Sequence, residues 1–135
     1  MPHVVVEHSA NLHGRADLPR LLRVLHDAAI GTGVFPRGGT RTRAEERARY
    51  LVADAHPDNA FVHVTLRIGH GRDLATRRRA GQAVFDALVA ELAPAFETTP
   101  LAISFEVQEI DPELSWKHNN VHRYVEARDA GRERP

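Results

Sequence analysis

The sequence predicts an α/β fold: two fused β-α-β units forming a four-stranded core sheet with two helices on one face. Three observations carry this reading. An apolar strand pattern, a loop, an Asp-Leu pair and a helical apolar stripe occur at 3–30 and again at 60–96, offset by about 56 residues. Within each copy the apolar period changes from two to 3.6, the signature of a strand followed by an amphipathic helix. The chain of 135 residues suits one domain built from two such units, spanning 1–125, with pseudo-repeats at about 2–59 and 60–125.

Each element has a local reason. "HVVVEH" at 3–8 is a short buried strand, rich in β-branched valine. "SANLHGRA" at 9–16 is a loop. Asp17 then caps a helix, with Pro19 tolerated in its first turn, and Leu18, Leu21, Leu22, Leu25, Ala28 and Ala29 recur at helical spacing. That helix runs to about Ile30 and stops at "GTG", 31–33. "FPRGGTRTR" at 35–43 is turn-rich and then extended, and "ARYLVADA" at 48–55 reads as the returning strand, closed by "HPDN".

The second unit opens with "AFVHVTLRI" at 60–68. Ala60, Val62, Val64, Leu66 and Ile68 line one face, and Phe61, His63, Thr65 and Arg67 the other. After the glycine-rich "GHGR", Asp73 caps a long helix that Pro94 is expected to end or kink. "LAISFEVQEI" at 101–110 is the last strand. The stretch 111–125 is irregular with apolar anchors, and 126–135, with three arginines and three acids, is expected to be a charged solvated tail. Helices on one side leave the other sheet face bare. The alternating apolar residues of 60–68 and 101–110 are expected to meet a partner subunit there.

Composition narrows the function. Charged residues are 27% and apolar residues 42%, which fits a soluble globular chain and excludes a disordered one. No apolar run approaches the ~20 residues of a membrane span. There is no basic leader followed by an apolar stretch, so the expected location is cytoplasmic. Cysteine is absent, which removes disulfides, thiolate nucleophiles and cysteine metal sites. The formal net charge is zero, so no general attraction to nucleic acid or anionic lipid is expected. Lys117 is the only lysine; every other basic residue is arginine, a planar donor fork suited to carboxylates. A GC-rich coding bias accounts for that preference equally well.

Pro2 is the residue with chemistry available only by position. Methionine is commonly trimmed when the next residue is small, and trimming leaves Pro2 with a free secondary amine. Such an amine is cationic in water, but burial and nearby arginines lower its pKa, and the neutral form is a general base. The plain alternative is an N-terminal residue with no function.

Other groups are weaker candidates. His118 and His122 are four apart, but there is no His-Glu-x-x-His. Neither "GVFPRGG" nor "GHGR" is a phosphate loop. His3 is expected to turn away from Pro2, and His63 to be a packed or interface histidine. Arg77, Arg78 and Arg79 sit against the helix dipole and read as a solvated face or an anion-attracting rim. Phe35, Phe105 and Trp116 are core or interface anchors, one of which could wall the Pro2 pocket.

"MPHVVVEHSANL", "GVFPRGGTRTRA" at 33–44, "AFVHVTLRIGHGR" at 60–72 and "LAISFEVQEIDPELSWKHNNVH" at 101–122 together resemble the 5-carboxymethyl-2-hydroxymuconate isomerase family of the tautomerase superfamily. The similarity spans nearly all of 2–125 in order and spacing. It implies a tautomerase-like fold, a homotrimer, no cofactor, and a cofactor-free isomerase of aromatic catabolism in the homoprotocatechuate branch, acting on a small polycarboxylate. Pro2 matches the catalytic proline, and Arg41 and Arg72 match the two active-site arginines that bind and polarise the substrate. Arg43 is a secondary substrate-binding candidate, expected to face away from Arg41 and to rim a neighbouring site or pair with Glu45 or Glu46. Thr40 and His118 stand where a member of the family has an isoleucine and a glutamine, without removing a catalytic group.

The implied reaction is a 1,5-keto–enol shift from 5-carboxymethyl-2-hydroxymuconate to its 2-oxo-3-ene isomer. One rival keeps the fold and the proline but hydrates, dehalogenates or decarboxylates an unsaturated acid, with Glu7 or Glu106 activating water. Another is a non-catalytic ligand-binding or assembly protein of the same fold. Nucleic-acid binding through the 37–49 arginines is the weakest.

Overall fold

The computed structural model describes residues 1–135. Its elements run β1 (His3–Ser9), α1 (Leu18–Gly31), β2 (Arg41–Arg47), β3 (Ala60–Gly69), α2 (Leu74–Thr98), β4 (Leu101–Ile110) and α3 (Val121–Asp129). The strands lie in the order β2-β1-β3-β4. β1 pairs in parallel with β2, β3 in parallel with β4, and the two units meet through the antiparallel β1–β3 pair. The antiparallel join places His3 at the start of β1 opposite Arg67 near the end of β3. Arg41, at the start of β2, lies opposite His3 on the other side.

The helix starts follow from their caps. The Asp17 carboxylate accepts the Arg20 N–H at 3.0 Å, and the Asp73 carboxylate accepts the Thr76 N–H at 2.7 Å, each satisfying a donor that the first turn leaves free. Gly33 takes φ +71 just beyond α1, a left-handed turn that favours glycine. Pro94 does not end α2, which continues to Thr98.

The returning strand of the first unit is not at 48–55. It is β2, which starts seven residues before the "ARYLVADA" pattern, and 48–55 forms bends and turns instead. Ala53 and Ala55 adopt φ +53 and +63, which no strand accommodates, and the Ala55 N–H bonds back to the Val52 carbonyl at 2.9 Å. Asn59 clamps this loop, its amide donating to the Val52 carbonyl and the Asp54 carboxylate. Local polar bonding overrides the apolar pattern.

The core lies between the helices and one sheet face. Val4 and Val6 of β1, Val62, Val64, Leu66 and Ile68 of β3, Leu21 and Leu25 of α1, and Val84, Leu88 and Leu92 of α2 are fully buried together. The apolar alternation of β3 and β4 therefore lies on the helix side and not on the bare face. The bare face carries His3, Val5, Glu7, Phe61, His63, Thr65 and Arg67, mostly polar. The expected tail is also shorter: α3 extends to Asp129, Ala127 is buried, and Arg37 pairs with Asp129 at 2.8 Å. The run exposed throughout is 128–135.

Candidate active site

The chain start is built into the sheet end. Pro2 is buried, and its carbonyl accepts the Arg41 N–H at 3.1 Å, so β2 holds β1 by its first residue. Three connections converge here: the turn before β2, the loop from β3 to α2, and the segment from β4 to α3.

The first supplies Arg41. Its Nη1 donates to the Gly39 carbonyl at 3.0 Å and to the Met1 thioether at 3.1 Å. Thr40, buried beside it, satisfies its hydroxyl on the Pro36 carbonyl at 3.0 Å, so this polar residue carries no orphan group. The second supplies Arg72. Its guanidinium donates to the carbonyls of Gly69 and Val34, both at 3.2 Å, and lies 5.3 Å from the centre of the Phe35 ring. Arg77 donates to the Arg72 carbonyl at 3.1 Å and pairs with Glu109 at 2.9 Å, so it props the loop that carries Arg72. The third supplies Lys117 and Asn119. The Asn119 amide donates to the Gly38 carbonyl at 3.3 Å and reaches the Met1 sulfur at 3.6 Å, while its carbonyl accepts the first N–H of α3.

A cavity of about 450 Å³ opens beside Met1. Its wall includes His3 and Arg67 from the bare face, His70, Trp116 and Lys117. Trp116 is 85% exposed and serves as pocket wall, whereas Phe35 is core and carries the Arg72 guanidinium.

The electrostatics of this corner are one-sided. None of Arg41, Arg43, Arg67, Arg72 and Lys117 forms an ion pair, although Arg15, Arg20, Arg37, Arg47 and Arg77 elsewhere each have a carboxylate. No acidic residue lines the cavity. Burial, followed by the charges of Lys117, Arg72 and Arg41, lowers the pKa of the chain-start amine. Burial and the charges of Arg43, Arg41, the chain-start amine and Arg67 lower that of His3. The Arg43 guanidinium, which only donates, sits 3.1 Å from His3 Nδ1, so that nitrogen is the acceptor and the proton of the neutral ring is on Nε2.

Two expectations are corrected. Arg43 does not face away from Arg41: residues two apart on a strand share a face, and both lie on the bare face with His3. Arg43 pairs with neither Glu45 nor Glu46. His3 lies on the bare face and lines the cavity beside Met1, whereas Pro2 before it is buried, the alternation an extended chain gives. The structure brings Pro2, Arg41 and Arg72 to one corner and adds Arg67, Lys117 and Asn119. His63 lies on the bare face, bonded to Ser104 at 2.7 Å and Glu106 at 3.2 Å.

The comparisons point the same way. The family described as 5-carboxymethyl-2-hydroxymuconate isomerase matches residues 2–125. The 5-carboxymethyl-2-hydroxymuconate Delta-isomerase of Escherichia coli is 42% identical over 122 residues, covering 90% of this chain and 97% of that protein. A crystal structure of a 5-carboxymethyl-2-hydroxymuconate isomerase from Deinococcus radiodurans R1 superposes with a TM-score of 0.85 at 35% identity, covering 92% of this chain and 93% of that one. A further crystal structure of a 5-carboxymethyl-2-hydroxymuconate delta-isomerase gives a TM-score of 0.86 at 31% identity, with 93% of each chain covered.

Proposed function

The chain belongs to the 5-carboxymethyl-2-hydroxymuconate isomerase family, and from that premise we propose that Pro2 is its general base and that Arg41 and Arg72 hold and polarise the substrate. The protein is an isomerase with a tautomerase-like fold. It converts 5-carboxymethyl-2-hydroxymuconate to the 2-oxo-3-ene isomer. The 2-hydroxyl loses its proton and becomes a carbonyl, the double bonds move from C2–C3 and C4–C5 to C3–C4, and C5 gains a proton. Atoms and charge balance with no external oxidant or reductant.

The observation that carries the assignment of residues is the set of unpaired cations around a buried chain start. Removal of Met1 makes Pro2 the terminal amine and uncovers the Arg41 guanidinium, which now bonds a thioether, a weak acceptor. One residue step is about 3.8 Å, so the charges that lower the Met1 amine pKa also act on a Pro2 amine. A neutral Pro2 takes the hydroxyl proton and, once protonated, returns it to C5. Arg41 and Arg72 bind a carboxylate and the developing oxyanion, with Arg43 on the rim. Arg72, anchored on two carbonyls, is presented in a fixed geometry at no ordering cost in the reaction.

The hydratase, dehalogenase and decarboxylase readings lose support from the carboxylates. Glu7 is held by Arg47 at 2.6 Å and Glu106 by His63 and Gln108, and neither lines the cavity. We read the protein as a cytoplasmic homotrimer with a small polycarboxylate substrate and no nucleic-acid partner; no helix is long and apolar enough to cross a membrane.

The test combines intact-mass measurement with a keto–enol assay. The active sample is expected to lack Met1. Pro2→Ala is expected to lose about 10²–10⁴ in kcat, the range that a positioned base contributes. Arg72→Ala is expected to lose at least about tenfold in kcat/KM, about 1.4 kcal/mol. Full activity with Met1 retained, or unchanged turnover in Pro2→Ala, rejects Pro2 as the base and leaves the non-catalytic use of the fold to be examined.

A further inference from the structure

We propose that Arg67 and Lys117 form a separate carboxylate receptor, which selects substrates bearing the additional carboxymethyl carboxylate at C5. The proposal rests on the isomerase reading above and extends it to specificity. The substrate carries three carboxylates: one beside the reacting 2-hydroxyl, one at C6 and one on the carboxymethyl group. Arg41 and Arg72 account for the reacting end. Two negative charges remain at the other end, and they need cations of their own.

The cavity beside Met1 offers them. Arg67 comes from near the end of β3 and Lys117 from the segment between β4 and α3, and both line the same space of about 450 Å³. Neither side chain makes an ion pair with this chain's own acids, and no acidic residue lines the cavity to compete with an anion. The β1–β3 register places Arg67 opposite His3, whose Nδ1 is occupied by Arg43 and whose Nε2 carries a proton. The ring adds a neutral donor to the two cations. Ile110, Pro112, Leu114 and Trp116 give the wall on the β4 side its apolar part. Met1 borders this space while its sulfur touches Arg41. The receptor and the reacting end are therefore adjacent, separated by the residue that processing removes. C5 must lie near the Pro2 amine to take back the proton, and in this proposal the carboxymethyl group, of its two carboxylate-bearing substituents, is the one set against the wall beside Met1.

An arginine fork and a lysine point charge suit a flexible methylene carboxylate, which can turn to meet both. Lys117 also lowers the pKa of the chain-start amine, so the receptor's own contribution is read from the ratio of the two substrates on the pH plateau, where that effect is common to both. The receptor touches a group that 2-hydroxymuconate lacks and is remote from the hydroxyl that ionises.

The experiment measures kcat/KM for 5-carboxymethyl-2-hydroxymuconate and for 2-hydroxymuconate on the plateau of the pH profile. It compares the wild type with Arg67→Gln, Lys117→Met and the double variant. The ratio of the two constants is expected to fall about tenfold in each single variant, chiefly through KM, and further in the double variant, with the slope against ionic strength reduced for the carboxymethyl substrate alone. A ratio unchanged in the double variant overturns the receptor, as does an equal loss on both substrates. Wild-type protein that isomerises neither compound rejects the isomerase reading itself, a result distinct from either of these.

Discussion

At the residue scale the proposed chemistry depends on a chain-start amine whose pKa is lowered by its surroundings. Burial comes first among the causes, and Lys117, Arg72 and Arg41 follow. All four act in one direction, since each disfavours the cationic form. The base works only when unprotonated, so kcat/KM rises with pH through the pKa of the free enzyme's amine and is flat above it until another group titrates. A lowered pKa moves that rising limb down, below the ordinary range of a chain-start amine. Added salt screens the three cations but leaves burial untouched. The limb is therefore expected to move toward higher pH as ionic strength increases, by part of the total shift. A pH–rate profile at low and high salt checks this; a limb that moves to lower pH with salt shows that no cationic field acts on the base. The same residues show where the sequence was readable. Pro2, Arg41 and Arg72 stood in recognisable blocks, and Lys117 was conspicuous as the only lysine. Arg67 was visible only as a polar position on an alternating strand. Its meaning comes from the antiparallel β1–β3 register, which sets it against His3 across the sheet, a long-range fact that no local pattern encodes.

At the element scale, caps and period predicted β1, α1, β3, α2 and β4 because each is stabilised by its own residues: a capping aspartate, a buried stripe, a β-branched run. β2 was harder. "RTRAEER" is a polar edge strand, mostly exposed, with no apolar alternation to announce it. It exists because β1 supplies a hydrogen-bonding partner from His3 to Ser9. α3 was hidden for a similar reason. It is short, polar and docked on the turn at Arg37–Gly39, a contact made across most of the chain length. That docking needs Gly38. A Cβ there would fall 2.5 Å from His122 Nδ1 and 3.0 Å from the His122 backbone Cα, so a rotamer change alone cannot relieve it. Gly38→Ala is expected to push α3 off the turn and to destabilise the fold by about 1–3 kcal/mol, the usual range for overpacking. Because Asn119 bonds the Gly38 carbonyl and caps α3, the displacement also reaches the active corner, and activity is expected to fall along with stability. Denaturant unfolding and the keto–enol assay on one preparation check both; a variant of wild-type stability means that α3 does not pack as closely as described.

At the scale of the whole molecule, a single chain leaves three surfaces unfinished. The sheet has one uncovered face, where Val5 and Phe61 sit among polar residues. Its β2 and β4 edges have no further strand. Along the β4 side of α2, an apolar groove of about 320 Å³ is walled by Phe85, Val89, Ala93, Phe96 and Ile103. Phe96 is 58% exposed and Val89 42%, large apolar areas for a surface that meets only water. Covering a face and an edge on every chain at once requires a closed arrangement of identical subunits, because an open one leaves the same surfaces bare at its ends. The homotrimer implied by the family resemblance is such an arrangement. A chain of 15.0 kDa is then expected to give a particle of about 45 kDa by light scattering, at concentrations well below those used for crystallisation. Replacing both Val89 and Phe96 with aspartate puts two charges into the groove, where burial against a partner would cost several kcal/mol. These positions lie outside the catalytic corner and the buried core, so the chain itself should still fold. The double variant is expected to shift toward the 15.0 kDa species on dilution while keeping the far-ultraviolet circular dichroism of the wild type. A wild-type particle that stays at the mass of one chain at all concentrations rules out the trimer. A double variant that remains about 45 kDa places the subunit contacts elsewhere, on the bare sheet face or the β2 edge.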